Sequence, residues 1–180
     1  HLSYIKPHWP YIVPAPYHDM YGREHIIPVN RSDVERQDPH PLMAAYYDYR
    51  YGRAFSRDDV REAVIPAYMG LITQIDDQIG RLMSYLKESG QINDTMIVFT
   101  SDHGDYLGDH WMGEKELFHD ASARIPLIIV DPSEEADATR GSISQSLTEA
   151  IDLVPTFLEF AGGEVPDHIL EGHSLLPEIY

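Results

Sequence analysis

The chain has 180 residues, 43% of them hydrophobic, and a formal net charge of −17. This composition is typical of a globular domain with a real core and excludes a disordered chain. Such an acidic chain repels a phosphate backbone, so we expect no nucleic-acid partner. No apolar run approaches the ~18 residues of a membrane-spanning helix, so we expect no membrane partner. The absence of cysteine excludes disulfides, thiolate metal sites and a cysteine nucleophile within these residues. It also favours a reducing compartment, the cytoplasm rather than the periplasm.

The N-terminal third of the chain is rich in proline. Residues 1–18 mix proline with aromatic and aliphatic residues, which predicts a rigid extended segment because proline fixes φ and removes a backbone donor. Residues 19–55 are polar and broken by further prolines, which predicts an irregular excursion with one short helix near residues 42–50. This excursion ends in a tyrosine cluster, which we interpret as semi-buried packing, with a contact surface between two copies of the chain as the alternative: Tyr46, Tyr47, Tyr49 and Tyr51.

Residues 57–89 carry the clearest helical pattern in the chain. Apolar residues recur there at steps of three and four, which places them on one stripe of a long helix. Pro66 is expected to kink this helix or to mark its start. Gly90 is the residue expected just after its last turn.

Two short apolar runs, 95–100 and 125–130, are typical of central strands of a parallel sheet that are buried on both faces. Residues 151–161 predict a helix that begins at Asp152 and ends before a glycine pair. Helix, strand, loop, strand and helix in that order indicate the α/β class for residues 56–180, with helices covering a mostly parallel sheet.

Asp102 and His103 directly follow the first apolar run. Ligands of open α/β sheets bind beyond the carboxyl ends of the strands. A carboxylate suits hard cations, and an imidazole adds affinity for ions such as Mn²⁺ or Zn²⁺. The pair therefore predicts part of a divalent-metal site, although an Asp-His-Gly sequence alone is a weak signal.

The loop that follows, residues 101–124, strengthens this interpretation. Loops of that length without regular structure are usually functional or disordered, and this one is rich in Gly, His, Asp and Lys. Lys115 could supply the positive charge that an anionic substrate needs, with an ordinary surface lysine as the alternative. His8 is flanked by prolines, so it could be held rigidly as a hydrogen-bond or proton donor. A structural histidine in a proline-rich loop is an equal alternative.

These motifs, in this order, resemble the sulfatase branch of the alkaline-phosphatase-like hydrolases, closest to phosphonate monoester hydrolases and related arylsulfatases. The resemblance covers nearly the whole chain outside residues 22–55. Its strongest part is Phe99-Thr100-Ser101-Asp102-His103-Gly104, followed by Leu107-Gly108-Asp109-His110 and Lys115. The other matching stretches are 2–21, 70–77, 124–128 and 172–177.

The resemblance implies a three-layer alkaline-phosphatase-like fold with a mostly parallel central sheet, of which residues 1–180 form part. It implies that Asp102 and His103 are two ligands of a single Ca²⁺- or Mn²⁺-like ion. By the same resemblance, Lys115 binds sulfate or phosphonate oxygens and His8 stands beside the leaving-group oxygen as a general acid. No role is carried onto His119, and Asp109 and His110 are expected to shape the loop.

The chain departs from the family pattern in one respect. The family nucleophile is a formylglycine made from Cys or Ser in a Cys/Ser-x-Pro-x-Arg motif, and no such motif occurs here. We therefore expect the nucleophile and the first metal-binding aspartates to lie outside these residues, on the N-terminal side, and these 180 residues alone to be inactive.

Three functions compete at this point. The first is hydrolysis of phosphonate or phosphate esters, monoesters or diesters, and the second is hydrolysis of aryl, alkyl or sugar sulfates. Both take a small anionic ester as substrate. The third is a non-catalytic relative that keeps the fold as a binding module, which the retention of four polar site residues (His8, Asp102, His103, Lys115) argues against.

Overall fold

The computed structural model describes residues 1–50, 52–166 and 168–180. The chain divides into two compact units, the first made of His1–Tyr85 and His103–Ile125 and the second of Leu86–Asp102 and Pro126–Tyr180. The peptide bond between Asp102 and His103 thus passes from the second unit to the first. Among the described residues, no helix combines the length and apolarity that a membrane crossing requires.

The proline-rich start of the first unit contains no helix, as predicted, before a short 3-10 helix at Tyr17–Asp19. It is not extended throughout, because it turns or bends at residues 6–10 and 15–16. The excursion that follows contains two short helices, α1 at Val34–Gln37 and the predicted one, α2 at Pro41–Tyr47. A 3-10 helix at Arg23–His25 precedes them, and another at Arg53–Ser56 follows them. In the tyrosine cluster, the rings of Tyr46 and Tyr49 lie 6.4 Å apart between centroids. Tyr51 lies outside the described residues.

The predicted long helix is α3, Asp58–Glu88, a helix of 31 residues. Its apolar stripe buries Leu71 completely, and Gly70 lies so close to the backbone of Tyr17 that a Cβ there would be 2.4 Å from the Tyr17 carbonyl oxygen. Pro66 lies inside the helix and does not mark its start. Gly90 follows the helix with a φ of 74°, the left-handed conformation expected after a helix end.

In the second unit, a 3-10 helix at Gln91–Asp94 leads into strand β1, Ile97–Thr100, which pairs with β2, Leu127–Val130. The pairing is antiparallel, with Ile97 opposite Val130. The predicted parallel arrangement of these two runs is therefore wrong, and so is burial on both faces, because Phe99 and Ile128 are 40% and 57% exposed. Apolar composition favours a strand but does not encode its direction, and the long intervening loop permits either pairing.

A short helix of the first unit, α4 at Asp120–Ala123, precedes β2 in the chain. The predicted helix near the end of the second unit is α5, Leu153–Phe160, and it is followed by α6, Leu176–Ile179. Asp152 occupies the position before α5, but its carboxylate accepts hydrogen bonds from the amides of Glu149 and His173. The buried Thr156 hydroxyl donates to the Asp152 carbonyl at 2.6 Å and accepts from the Leu175 amide at 2.8 Å. These bonds join the two helices.

Candidate active site

The ring of His8 has a defined hydrogen-bond partner. Its Nδ1 atom lies 2.9 Å from the carbonyl oxygen of Trp9. A carbonyl oxygen can only accept, so Nδ1 carries the hydrogen, and in the neutral ring Nε2 carries the lone pair. The proline-flanked backbone thereby presents Nε2 of His8 as an acceptor.

Lys115 meets that acceptor directly. Its Nζ atom lies 2.7 Å from Nε2 of His8, although 107 positions separate the two residues. An ammonium group can only donate, so Lys115 donates this hydrogen bond to His8. The contact agrees with the His8 tautomer that carries its hydrogen on Nδ1 and its lone pair on Nε2. Glu114 Oε2 lies 3.9 Å from the same Nζ atom. The first unit therefore brings together the two residues to which the sequence assigned substrate contacts.

His103 lies beside this pair. The centroids of the His8 and His103 rings are 6.1 Å apart, at an interplanar angle of 66°. The Nδ1 atom of His103 is 2.7 Å from the Gly104 carbonyl oxygen, so it donates, and the neutral ring carries its lone pair on Nε2. A histidine that binds a metal is usually oriented in this way, by a bond from its other nitrogen to a backbone carbonyl. The donor chemistry of His103 therefore fits a metal ligand.

Asp102 precedes His103 in the chain and is exposed. The Ser101 hydroxyl lies 3.5 Å from its Oδ1 atom, within the second unit. Across residues 1–50, 52–166 and 168–180, no three His, Asp or Glu side chains are grouped so as to hold a metal ion. Asp102 and His103 thus stay a predicted pair of ligands.

A half-buried carboxylate that the sequence did not single out lies two positions after His103. Asp105 Oδ2 accepts a hydrogen bond of 2.6 Å from the Tyr11 hydroxyl, and its Oδ1 accepts one of 3.1 Å from the Leu107 amide. Burial raises the pKa of the Asp105 carboxyl, and the hydrogen bonds from Tyr11 and Leu107 oppose that rise. No local pattern links Tyr11 to Asp105, so only the folded chain reveals this pair.

Glu114 and Tyr11 complete the polar surroundings of His8 and Lys115. Burial raises the pKa of the Glu114 carboxyl, and the charge of Asp105 raises it further, whereas Lys115 opposes the rise. Burial, followed by the charge of Asp105, raises the pKa of the Tyr11 phenol, which therefore stays protonated. The positive charge of Lys115 thus lies near partly buried acidic groups, in a chain that is acidic as a whole.

Two histidines of the loop that carries Lys115 stack on each other. The rings of His110 and His119 stack with centroids 4.1 Å apart, and the Tyr106 hydroxyl lies 2.8 Å from Nδ1 of His119. Burial and the neighbouring His110 lower the pKa of His119. Asp109 accepts a hydrogen bond from the Asn30 amide at 2.9 Å. Asp109 and His110 therefore make contacts that shape the loop, as expected from the sequence.

Comparison with known proteins agrees with the motifs. The family model of the sulfatases matches residues 1–163. The chain belongs to the sulfatase family. Over 98% of its length, this sulfatase-family chain is 43% identical to the multifunctional alkaline phosphatase superfamily protein PehA of Trinickia caryophylli. Over 97% of its length it is 34% identical to an arylsulfatase of Clostridium perfringens.

Solved structures identify the fold of this sulfatase-family chain. Phosphonate monoester hydrolases from Silicibacter pomeroyi and Agrobacterium radiobacter superpose on 99% and 97% of it, with TM-scores of 0.85 and 0.86 and 34% identity. The predicted alkaline-phosphatase-like fold class is thereby confirmed. The chain spans 36% of the length of each of these two structures and of the curated relatives PehA and arylsulfatase.

Proposed function

We propose that the protein carrying this chain hydrolyses phosphonate or phosphate esters, monoesters or diesters, in a metal-dependent reaction. The observation that carries the proposal is the 2.7 Å contact between Lys115 and His8 in a chain of the sulfatase family. An ammonium group paired with an imidazole acceptor is suited to an anionic ester, because one group offsets charge and the other exchanges a proton.

Lys115 would bind the oxygens of the transferred group and offset the charge that develops on them and on the leaving oxygen. A preorganised donor of this kind contributes about 3–4 kcal/mol to transition-state stabilisation. His8 would stand at the leaving-group oxygen. Its Nε2 atom accepts a hydrogen bond from Lys115, and the same atom, once protonated, can hydrogen-bond or protonate the departing oxygen.

Asp102 and His103 would hold one divalent ion, Ca²⁺ or Mn²⁺, together with ligands outside these residues. The lone pair on Nε2 of His103 and the carboxylate of Asp102 are donors that such ions accept. A bound ion would supply Lewis-acid polarisation of a substrate oxygen. The nucleophile would be a formylglycine that is likewise outside this chain, as is general in the family.

Two comparisons support phosphonate or phosphate esters as the first substrate class. The two phosphonate monoester hydrolase structures superpose on nearly the whole chain with TM-scores of 0.85 and 0.86. PehA, at 43% identity, is named a multifunctional member of the alkaline phosphatase superfamily. A sulfatase acting on aryl, alkyl or sugar sulfates is the second candidate, because the Clostridium arylsulfatase is 34% identical over nearly the whole chain.

The test compares two substrates that share a leaving group. The full-length protein would be assayed with the p-nitrophenyl monoester of phenylphosphonate and with p-nitrophenyl sulfate, and kcat/KM would be measured for both. We expect the phosphonate ester to have the higher kcat/KM. A higher value for the sulfate would favour the sulfatase, and hydrolysis of neither ester would contradict both candidates.

A further inference from the structure

The loop that carries Lys115 has an unusual backbone. Five of its non-glycine residues have φ in the left-handed region, which L-amino acids rarely adopt: Leu107 (45°), His110 (51°), Trp111 (64°), Glu114 (63°) and Leu117 (79°). Two of them, Glu114 and Leu117, flank Lys115 closely. Such conformations persist only where the surrounding structure holds them in place. Contacts that hold this loop therefore also fix the position of Lys115.

Residues 30–36, which we call the clamp segment, provide those contacts. They belong to residues 22–55 of the excursion, in which none of the family motifs quoted from the sequence lies. The Asn30 amide donates to Asp109 Oδ1 at 2.9 Å, and the His110 amide donates to the Asn30 carbonyl at 2.8 Å. The indole Nε1 of Trp111 donates to the Ser32 carbonyl at 2.7 Å. Three consecutive loop residues are thus bonded to the clamp segment.

Two arginines of the clamp segment also lie over the Trp111 ring. The Cζ atoms of Arg31 and Arg36 are 4.1 and 5.1 Å from its centroid, within the range of a cation–π interaction. The Arg31 side chain is only 8% exposed and pairs with Asp58 at the start of α3. Trp111 is therefore connected through Arg31 to the longest helix of the first unit.

Trp111 and Lys115 are close in the sequence, and hydrogen bonds hold the backbone at both ends of the segment between them. The Gly108 amide donates to the Met112 carbonyl at 2.7 Å, and Met112 is buried. The Tyr106 amide donates to the Glu114 carbonyl at 2.9 Å, and the buried Ser122 hydroxyl donates to the Lys115 carbonyl. A displacement of Trp111 would therefore be transmitted to Lys115 through a backbone with little freedom.

We propose that the clamp segment, acting through Trp111, positions Lys115 against His8, so that Trp111 is a positioning residue for the hydrolytic reaction. The expected effect on hydrolysis rests on the proposed function, whereas the expected effect on the placement of Lys115 does not depend on it.

The acylation experiment uses the full-length protein with four single variants, and the kinetic experiment adds Lys115→Ala and a double variant. Trp111→Ala removes the ring, and Arg36→Ala removes one of the two cations over it. Because Arg36 is exposed, we expect Arg36→Ala to fold normally. Trp111→Phe keeps an aromatic ring but loses the bond to Ser32. Arg23→Ala is the matched control, because it removes an exposed ion pair with Glu62 from the same excursion without touching the loop.

Two measurements distinguish the effect of the clamp segment on the position of Lys115 from its effect on hydrolysis. The first is the rate at which an amine-reactive ester acylates Lys115 relative to the exposed Lys87, followed by mass spectrometry. The second is kcat/KM for the phosphonate ester, measured in the wild type, in Trp111→Ala, in Lys115→Ala and in the double variant.

We expect the Lys115-to-Lys87 acylation ratio to rise several-fold in Trp111→Ala, to rise less in Arg36→Ala and Trp111→Phe, and to be unchanged in Arg23→Ala. We expect kcat/KM to fall by roughly ten- to a hundredfold in Trp111→Ala, as for a catalytic group displaced by about 1 Å, and to fall no further when Lys115 is already alanine. An unchanged acylation ratio in Trp111→Ala would overturn the proposal, and so would additive losses in the double variant. If the wild type hydrolyses no ester, the proposed function fails, and the acylation ratio alone decides about the clamp.

Discussion

The Nζ atom of Lys115 lies 2.7 Å from the Nε2 atom of His8. The Trp9 carbonyl fixes the hydrogen of the His8 ring on Nδ1, so the contact runs from a charged ammonium to a neutral imidazole. The oxygens of an anionic ester could accept from the ammonium directly, whereas Nε2 of His8 could hydrogen-bond to them only once it is protonated. The contact between Lys115 and His8 thus holds the two groups side by side through one hydrogen bond.

His8→Ala should harm esters with poor leaving groups most. If His8 gives a proton to the departing oxygen, the loss in kcat/KM is about 10²–10⁴-fold for an alkoxide leaving group and much smaller for p-nitrophenolate. The measurement is kcat/KM for a series of phosphonate esters of rising leaving-group pKa, with the exposed His168→Ala as control. An equal loss across the series would argue against the general-acid role.

Gly104→Ala should disturb the loop that begins at His103. A Cβ at this position would lie 2.1 Å from the Ala121 carbonyl oxygen, while the Gly104 amide donates to the Ser122 carbonyl at 2.8 Å. Because the backbone must shift, we expect a loss of about 1–3 kcal/mol in the free energy of unfolding. In α3, Gly80 has open space around the same position, so Gly80→Ala should gain up to about 1 kcal/mol. Urea denaturation of both variants checks this, and equal effects of the two would contradict the close approach.

The stability of the protein should depend on pH through His119. Burial and His110 lower the pKa of His119 in the folded state, so the unfolded chain binds the proton more readily. The stabilisation is complete above the unfolded pKa of about 6.5 and is lost as the pH falls through the lowered folded value. Urea denaturation between pH 8 and pH 5 should show a decline that is smaller in His119→Gln. An identical decline in the wild type and the variant would show that His119 does not cause this pH dependence.

Asp102→Ala should lower the metal content of the full-length protein. The substitution removes one of the two donors that this chain is proposed to contribute, whereas Asp94→Ala removes an exposed carboxylate of the preceding 3-10 helix and serves as the control. Elemental analysis after dialysis reads the metal directly, independently of turnover. Full stoichiometric metal in Asp102→Ala would show that the ligand assignment is wrong.

Local patterns predicted the helices well, because periodicity and end signals act within a few residues. The stripe of α3 and the glycine at position 90 are examples. The direction of β2 relative to β1 could not be predicted, since an apolar run is equally suited to either pairing. The resemblance pointed to His8 and Lys115 separately, but their contact, the Tyr11–Asp105 hydrogen bond and the clamp segment depend on residues brought together from distant positions, which no local signal records.

The most direct test of this account is a double-mutant cycle on His8 and Lys115 in the full-length protein. The four kcat/KM values, for an alkyl phosphonate ester whose leaving group is an alkoxide, come from the wild type, His8→Ala, Lys115→Ala and the double variant. We predict that Lys115→Ala alone costs about 10²–10³-fold and that the two losses do not add, because the groups act as one unit. Wild-type kcat/KM in either single variant, or strictly additive losses, would contradict it.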